Sequence, residues 1–174
     1  MRRTIAVLMI ASVPALAQRP AGLAAVATAR AQWETTIGYI VKAADQVPEA
    51  SYSYKPTPAV RSFGEIIGHV AGAQHLFCAP ALGEAPGKED DVEKTATTKA
   101  ALVAALKASN DQCRRAYALS DAQATKMVKL FGADQTVLFA LMENAVHDSE
   151  HYGNIVTYMR MLGMVPPSSQ PSGR

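Results

Sequence analysis

Thr136-Val-Leu-Phe-Ala-Leu-Met-Glu-Asn-Ala-Val-His-Asp-Ser-Glu-His-Tyr-Gly-Asn-Ile-Val-Thr-Tyr-Met-Arg-Met-Leu162 is an unbroken run without proline. Gly163 is a natural C-cap, and Pro166 and Pro167 lie just beyond, so the run reads as one long helix from about Thr136 to Leu162. Within it His147 and His151 are four apart, hence about 40° apart in projection and one turn apart in height. On the same wheel Asn144 and Asn154 flank the histidine pair, and Ala140 and Tyr158 fall on its axis. A polar stripe of Asn, His, His, Asn and Tyr thus runs along a largely apolar helix. A solvent-facing stripe would carry Lys, Glu and Arg instead.

Upstream, three more helices follow the same logic. Trp33, Ile37, Ile40, Ala44 and Val47 step by four and three, an apolar seam on a helix from about Leu23 to Asp45 that Pro48 stops. Ser51-Tyr-Ser-Tyr-Lys-Pro-Thr-Pro58 cannot continue it and is an ordered connection. Ser62-Phe-Gly-Glu65 is a capping box that starts a second helix, with Phe63, Ile66, Ile67, Val70, Ala73 and Phe77 facing inward. Gly87-Lys-Glu-Asp-Asp-Val-Glu-Lys94 reads as a solvated loop whose charges need no further role. Thr97 or Thr98 caps a third helix with Leu102, Leu106, Ser109, Cys113 and Ala116 inward, and Phe131-Gly-Ala-Asp134 makes a turn before the fourth. The pattern contains no strand, so the expected fold is all-α, a four-helix bundle forming one domain over residues 18–165.

The two ends lie outside that domain. Met1-Arg2-Arg3, the apolar run Thr4 to Val13 and Ala15-Leu16-Ala17 have the three parts of a signal peptide, with cleavage before Gln18. The alternative is an N-terminal helix packed on the domain. The apolar run is too short to span a membrane, which takes roughly 20 residues, so an exported, periplasmic or secreted protein without a membrane segment is expected. Residues 166–174 read as an extended polar tail.

The chain has 17 Lys+Arg and 15 Asp+Glu, net charge +2; loss of Arg2 and Arg3 with the signal would bring it to zero. Without a basic excess, nucleic acid is not an expected partner. Hydrophobic residues make up 49% and charged residues 18%, which excludes a disordered tail. Of two cysteines, neither sits in a C-x-x-C pair. In an exported protein Cys78 and Cys113 are expected to form a disulfide that staples the second helix to the third.

The second helix offers His69 on its inward face, with Glu65 one turn before it; His75 points about 120° away and reads as structural or surface. Three histidines from two helices can make a metal site with open positions. The competing reading is that His147 and His151 are core polar residues, hydrogen-bonded across the bundle with Asn144 and Asn154. Trp33 and Tyr158 read as core residues in preference to pocket walls.

Phe63-Gly-Glu-Ile-Ile-Gly-His-Val-Ala-Gly-Ala-Gln74 and His147-Asp-Ser-Glu-His-Tyr-Gly-Asn-Ile-Val-Thr-Tyr-Met-Arg160 resemble the DinB-like superfamily. Lys55-Pro-Thr-Pro-Ala-Val-Arg-Ser62 and Gly163-Met-Val-Pro-Pro-Ser-Ser169 are similar to it too. The resemblance implies a four-helix bundle, often dimeric, with a divalent metal held by residues matching His69, His147 and His151, here the only protein ligands expected. Family members include thiol-dependent transferases and isomerases, and proteins regarded as metal-dependent hydrolases. An exported chain departs from the thiol-transferase branch, because a cytosolic thiol would be scarce there.

Three neutral imidazoles suit Zn²⁺ first, with Ni²⁺ or Fe²⁺ as alternatives. They leave the ion its full charge, able to acidify bound water and polarise a substrate oxygen. Glu65, Asn144, Asn154, Tyr158 and Trp33 are the candidates for supporting or lining such a site. Asp148 and Glu150 flank it on the wheel, and no residue stands out as general base. Two functions follow. One is a metal-dependent hydrolase or group transferase acting on a small molecule. The other is a non-catalytic metal-binding or stress-response bundle that works by sequestration or dimer contacts.

Overall fold

A computed structural model of the chain describes residues 24–171. The expected signal peptide, residues 1–17, lies outside them. The described residues form six helices and one two-stranded sheet: α1 (Ala25–Gln46), α2 (Phe63–Ala81), α3 (Asp91–Thr95), α4 (Lys99–Ala116), α5 (Asp121–Ala124), β1 (Met127–Leu130), β2 (Ala133–Thr136) and α6 (Val137–Met161). Two short 3-10 turns, Glu49–Ser51 and Pro167–Ser169, complete the order. The four long helices α1, α2, α4 and α6 are the four expected. α2 packs on both α4 and α6, and α1 lies along α6.

Their seams are those read from the sequence. Trp33, Ile37, Ile40 and Ala44 on α1, Phe63, Ile66, Ile67 and Val70 on α2, and Leu102, Leu106 and Cys113 on α4 are all buried. The helix ends also follow local chemistry. The Ser62 hydroxyl accepts from the Glu65 amide, and the Glu65 carboxylate accepts from the Ser62 amide at 2.6 Å, the reciprocal pair of a capping box. Thr98, not Thr97, caps α4 by accepting from the Ala101 amide. At the far end of α6 the Met164 amide reaches the Met159 carbonyl and the Gly163 amide reaches Arg160. That Schellman closure needs a left-handed residue, and Gly163 supplies it with φ +72°.

The expectation of no strand is corrected. β1 and β2 pair antiparallel, with Leu130 opposite Ala133, so Phe131-Gly132 is a two-residue hairpin turn. Both turn residues have positive φ, 51° and 78°, as a type I′ turn demands. Phe131 is the reason the turn hides, since the usual signal there is Asn-Gly or Asp-Gly. The expected solvated loop at 87–94 likewise takes in most of α3, and the expected tail includes the Pro167–Ser169 turn. Pro167 is buried, and Tyr152 Oη donates to Ser168 Oγ at 2.8 Å.

Cys78 and Cys113 are bonded, Cα to Cα 5.2 Å, and both are fully buried. The bond joins the end of α2 to α4 as expected and is consistent with export. No helix among the described residues is long and apolar enough to cross a membrane. Beside the staple runs a buried polar chain. The Trp33 indole N–H donates to Gln74 Oε1 at 3.1 Å, and Gln74 Nε2 donates to Ser109 Oγ and Asn110 Oδ1 at 2.9 and 2.8 Å. With every partner satisfied, such a chain specifies which helices meet instead of weakening the core. It holds α1, α2 and α4 in register around the turn of α2 next to His69.

Candidate metal centre

His69 projects from the middle of α2, and His147 and His151 project from successive turns of α6. Because these two helices pack together, the three rings meet. His147 Nε2 lies 3.2 Å from His69 Nε2 and 3.1 Å from His151 Nε2. Ring centroids are 4.4–5.1 Å apart. His69 and His151 are buried, and the His147 side chain is 15% exposed.

Burial, joined by the neighbouring imidazoles and the Arg61 guanidinium, lowers all three pKa values to about 4. The rings are therefore neutral at pH 7, and each offers a lone pair. One proton on His147 Nε2 could serve only one of its close contacts. A cation between the nitrogens serves them all. Around an ion with ligands at 2.0–2.1 Å, adjacent donors stand about 2.9 Å apart in an octahedron and about 3.3 Å apart in a tetrahedron. The observed separations fall between those values, so the three histidines could hold a metal ion.

The supporting contacts come partly from an unexpected place. Residues 88–93 lie against α2, and Glu89 Oε1 sits 3.3 Å from His69 Nε2 and 3.2 Å from His147 Nε2. Glu93 Oε2 is 3.6 Å from His69 Nδ1 and accepts from Arg61 Nε at 2.7 Å. The Glu93 carboxylate thus lies on the side of the ring away from the other two histidines without hydrogen-bonding its Nδ1, which has no partner. The charges of this loop thus do have a role, correcting the reading of a solvated segment. A signal for it was present: Gly64, Gly68 and Gly72 are spaced four apart and open one face of α2 to close backbone approach. A Cβ at Gly68 would meet the Glu93 Cα at 2.7 Å.

The other candidates separate into two groups. Asn154 brings its amide to 3.5 Å from His151 Nδ1. Tyr158 Oη donates to the Arg61 carbonyl at 2.8 Å, and both residues line a cleft of about 850 Å³ that also touches Arg61, Glu65, Glu150 and His151. Glu65 faces the cleft but spends its carboxylate on the capping box and on Lys55 at 2.9 Å, which hold its pKa below the usual range. Trp33 and Asn144 belong to the core: Trp33 stacks on Tyr117 at 4.7 Å, and Asn144 donates to Tyr117 Oη at 3.2 Å. Asp148 does not flank the histidines. It is fully buried, without a hydrogen-bond partner for its carboxyl although the Trp33 indole lies near, and burial drives its pKa well up. His75 points elsewhere, with Nδ1 2.6 Å from Gln112 Oε1.

The model of the DinB superfamily matches residues 23–155. The chain belongs to that superfamily. Its fold is similar to that of a DinB-like protein from Bacillus cereus, at 20% identity and TM-score 0.68 over 80% of this chain and 93% of the other. A DinB-like protein from Bacillus subtilis matches at 21% identity and TM-score 0.56, over 83% and 99% of the two chains. A mycothiol-dependent maleylpyruvate isomerase matches at 14% identity and TM-score 0.63, over 79% and 67%. No curated protein sequence matches the chain.

A pH response follows from the depressed histidines of this DinB-superfamily member. In the unfolded chain they take up protons near pH 6.5, and in the folded, metal-free protein only near pH 4. Above pH 6.5 both states are neutral there and nothing is lost. Between pH 6.5 and 4 the unfolded chain binds more protons, so stability should fall as pH is lowered, by on the order of a few kcal/mol in total. Urea unfolding in chelator from pH 7.5 to 4 measures this. Stability unchanged or rising across that window would contradict it.

Proposed function

We propose that the protein is an exported four-helix bundle that binds one divalent metal through His69, His147 and His151 and acts on a small molecule as a hydrolase or group transferase. The observation that carries this reading is the convergence of three neutral imidazoles beside a cleft. His151 belongs to both the cluster and the cleft wall. The cleft volume, about 850 Å³, suits a small-molecule ligand. When bound, the metal would supply Lewis acidity and an acidified water.

The protein's own groups supply the surroundings. Asn154 and Tyr158 present polar edges to the cleft, and Glu93 holds Arg61 in place at its floor. Glu150 is the carboxylate on the wall nearest His151 in sequence. A second reading, metal binding without catalysis, draws support from Glu89, whose carboxylate oxygen lies 3.3 Å from His69 Nε2 and 3.2 Å from His147 Nε2, where it could fill an open position.

Elemental analysis of protein purified without chelators tests the metal, with one ion per chain expected. Ester, amide and phosphoester libraries then test the chemistry. Turnover that chelator abolishes and metal restores supports the enzyme. Stoichiometric metal without turnover favours the second reading, and a chain that holds no metal overturns both.

A further inference from the structure

We infer that Glu89 is a fourth protein ligand of the metal centre, delivered by a segment that glycines on α2 allow to lie directly on the helix. The inference rests on the three-histidine reading above and adds a residue from outside the two ligand helices.

One oxygen, Glu89 Oε1, makes both contacts: 3.3 Å to His69 Nε2 and 3.2 Å to His147 Nε2. These distances match the 3.1–3.2 Å between the imidazole nitrogens themselves. The carboxylate oxygen therefore stands to His69 and His147 as their ring nitrogens stand to one another, at the spacing of adjacent donors around one ion. Among the described residues Glu89 has no Lys or Arg partner; its ion-pair contacts are to these two histidines alone. His69 is buried to 4% exposure and its Nδ1 has no hydrogen-bond partner.

The backbone gives independent support. A Cβ at Gly72 would collide with the Glu89 carbonyl oxygen and lie 2.8 Å from its carbonyl carbon. Only glycine at 72 lets the chain at Glu89 rest on α2 one turn beyond His69. Gly68 makes the same allowance for Glu93. A loose surface loop would not need two such positions. Arg61, bonded to Glu93 at 2.7 Å, ties down the other end of the segment.

A carboxylate in the set has chemical consequences. It lowers the net charge of the centre by one relative to three neutral imidazoles, and it adds a hard oxygen donor that favours Zn²⁺, Fe²⁺ or Mn²⁺ over soft monovalent copper.

Co²⁺ binding tests the assignment without recourse to activity. Wild type and Glu89→Gln, which keeps side-chain size at a partly exposed position, are titrated with Co²⁺ while the visible spectrum reports donor set and coordination number. Glu89→Gln should bind at least 10-fold more weakly, with a changed spectrum, and circular dichroism should show helix content retained. Gly72→Ala, which displaces the segment while keeping the carboxylate, should reproduce the Glu89→Gln spectrum. If wild type and Glu89→Gln bind with the same affinity and spectrum, Glu89 is no ligand while the three-histidine centre stands. If wild type binds no Co²⁺, the centre itself fails and this assignment with it.

Discussion

Replacing His147 with alanine should abolish the metal binding proposed for the three-histidine cluster. His147 is the central imidazole of the cluster, within 3.2 Å of both other ring nitrogens, so its removal leaves His69 and His151 without the ring that joins them. Loss of a supporting partner alone typically costs 10–100-fold in metal affinity. Loss of a direct ligand should therefore cost at least about 100-fold. Metal present at 100 times its dissociation constant stabilises the folded state by about 2.7 kcal/mol, and His147→Ala should forfeit most of that increment. The metal-free variant should keep its helices, because the seams of α1, α2, α4 and α6 and the disulfide do not involve the ring. Elemental analysis after desalting, with circular dichroism on the same sample, reads both effects. A variant that keeps one ion per chain means His147 is not a ligand.

Removing the disulfide should give the largest loss of stability in the metal-free protein. Cys78 and Cys113 are 35 residues apart in sequence, and opening a loop of that length costs roughly 3–4 kcal/mol in the chain-entropy model. For a chain of this size that corresponds to a melting temperature lower by roughly 10 °C. The double variant Cys78→Ala/Cys113→Ala should melt at that lower temperature while holding metal as the wild type does, since Cys78 lies more than two helical turns beyond His69. A melting temperature unchanged within error would show that the bond closes a loop already ordered in the unfolded chain. Titration of two free thiols in unreduced, exported protein would remove the bond altogether.

Both predictions rest on residues that stand out in the linear sequence, for a common reason. The seams of the long helices, the capping box at Ser62 and the cap at Gly163 follow from local periodicity and local hydrogen bonding. The spacing of His147 and His151 is a property of one helix. The cysteine pair follows from the expectation of export together with two inward positions. Each of these is decided within a few turns of chain or by composition, so the sequence by itself determined the helical class, the candidate ligands and the staple.

Tertiary structure decided what those residues face. Asn144 and Asp148 share α6 with the candidate ligands His147 and His151, and a wheel cannot tell core from centre among neighbouring positions. Asp148 is buried in the core, and Asn144 reaches across to Tyr117 at the end of α4. The hairpin at 127–136 escaped notice because its strands are four residues each and Phe131 occupies a turn position where glycine or asparagine usually announces itself. Glu89 was the least legible of all. Its segment reads as charged and solvated, and it reaches the histidines only because α2 lacks side chains at Gly68 and Gly72, where another part of the chain must pass. A contact between a loop and a helix face depends on where the loop closes in space, and no local spacing encodes that.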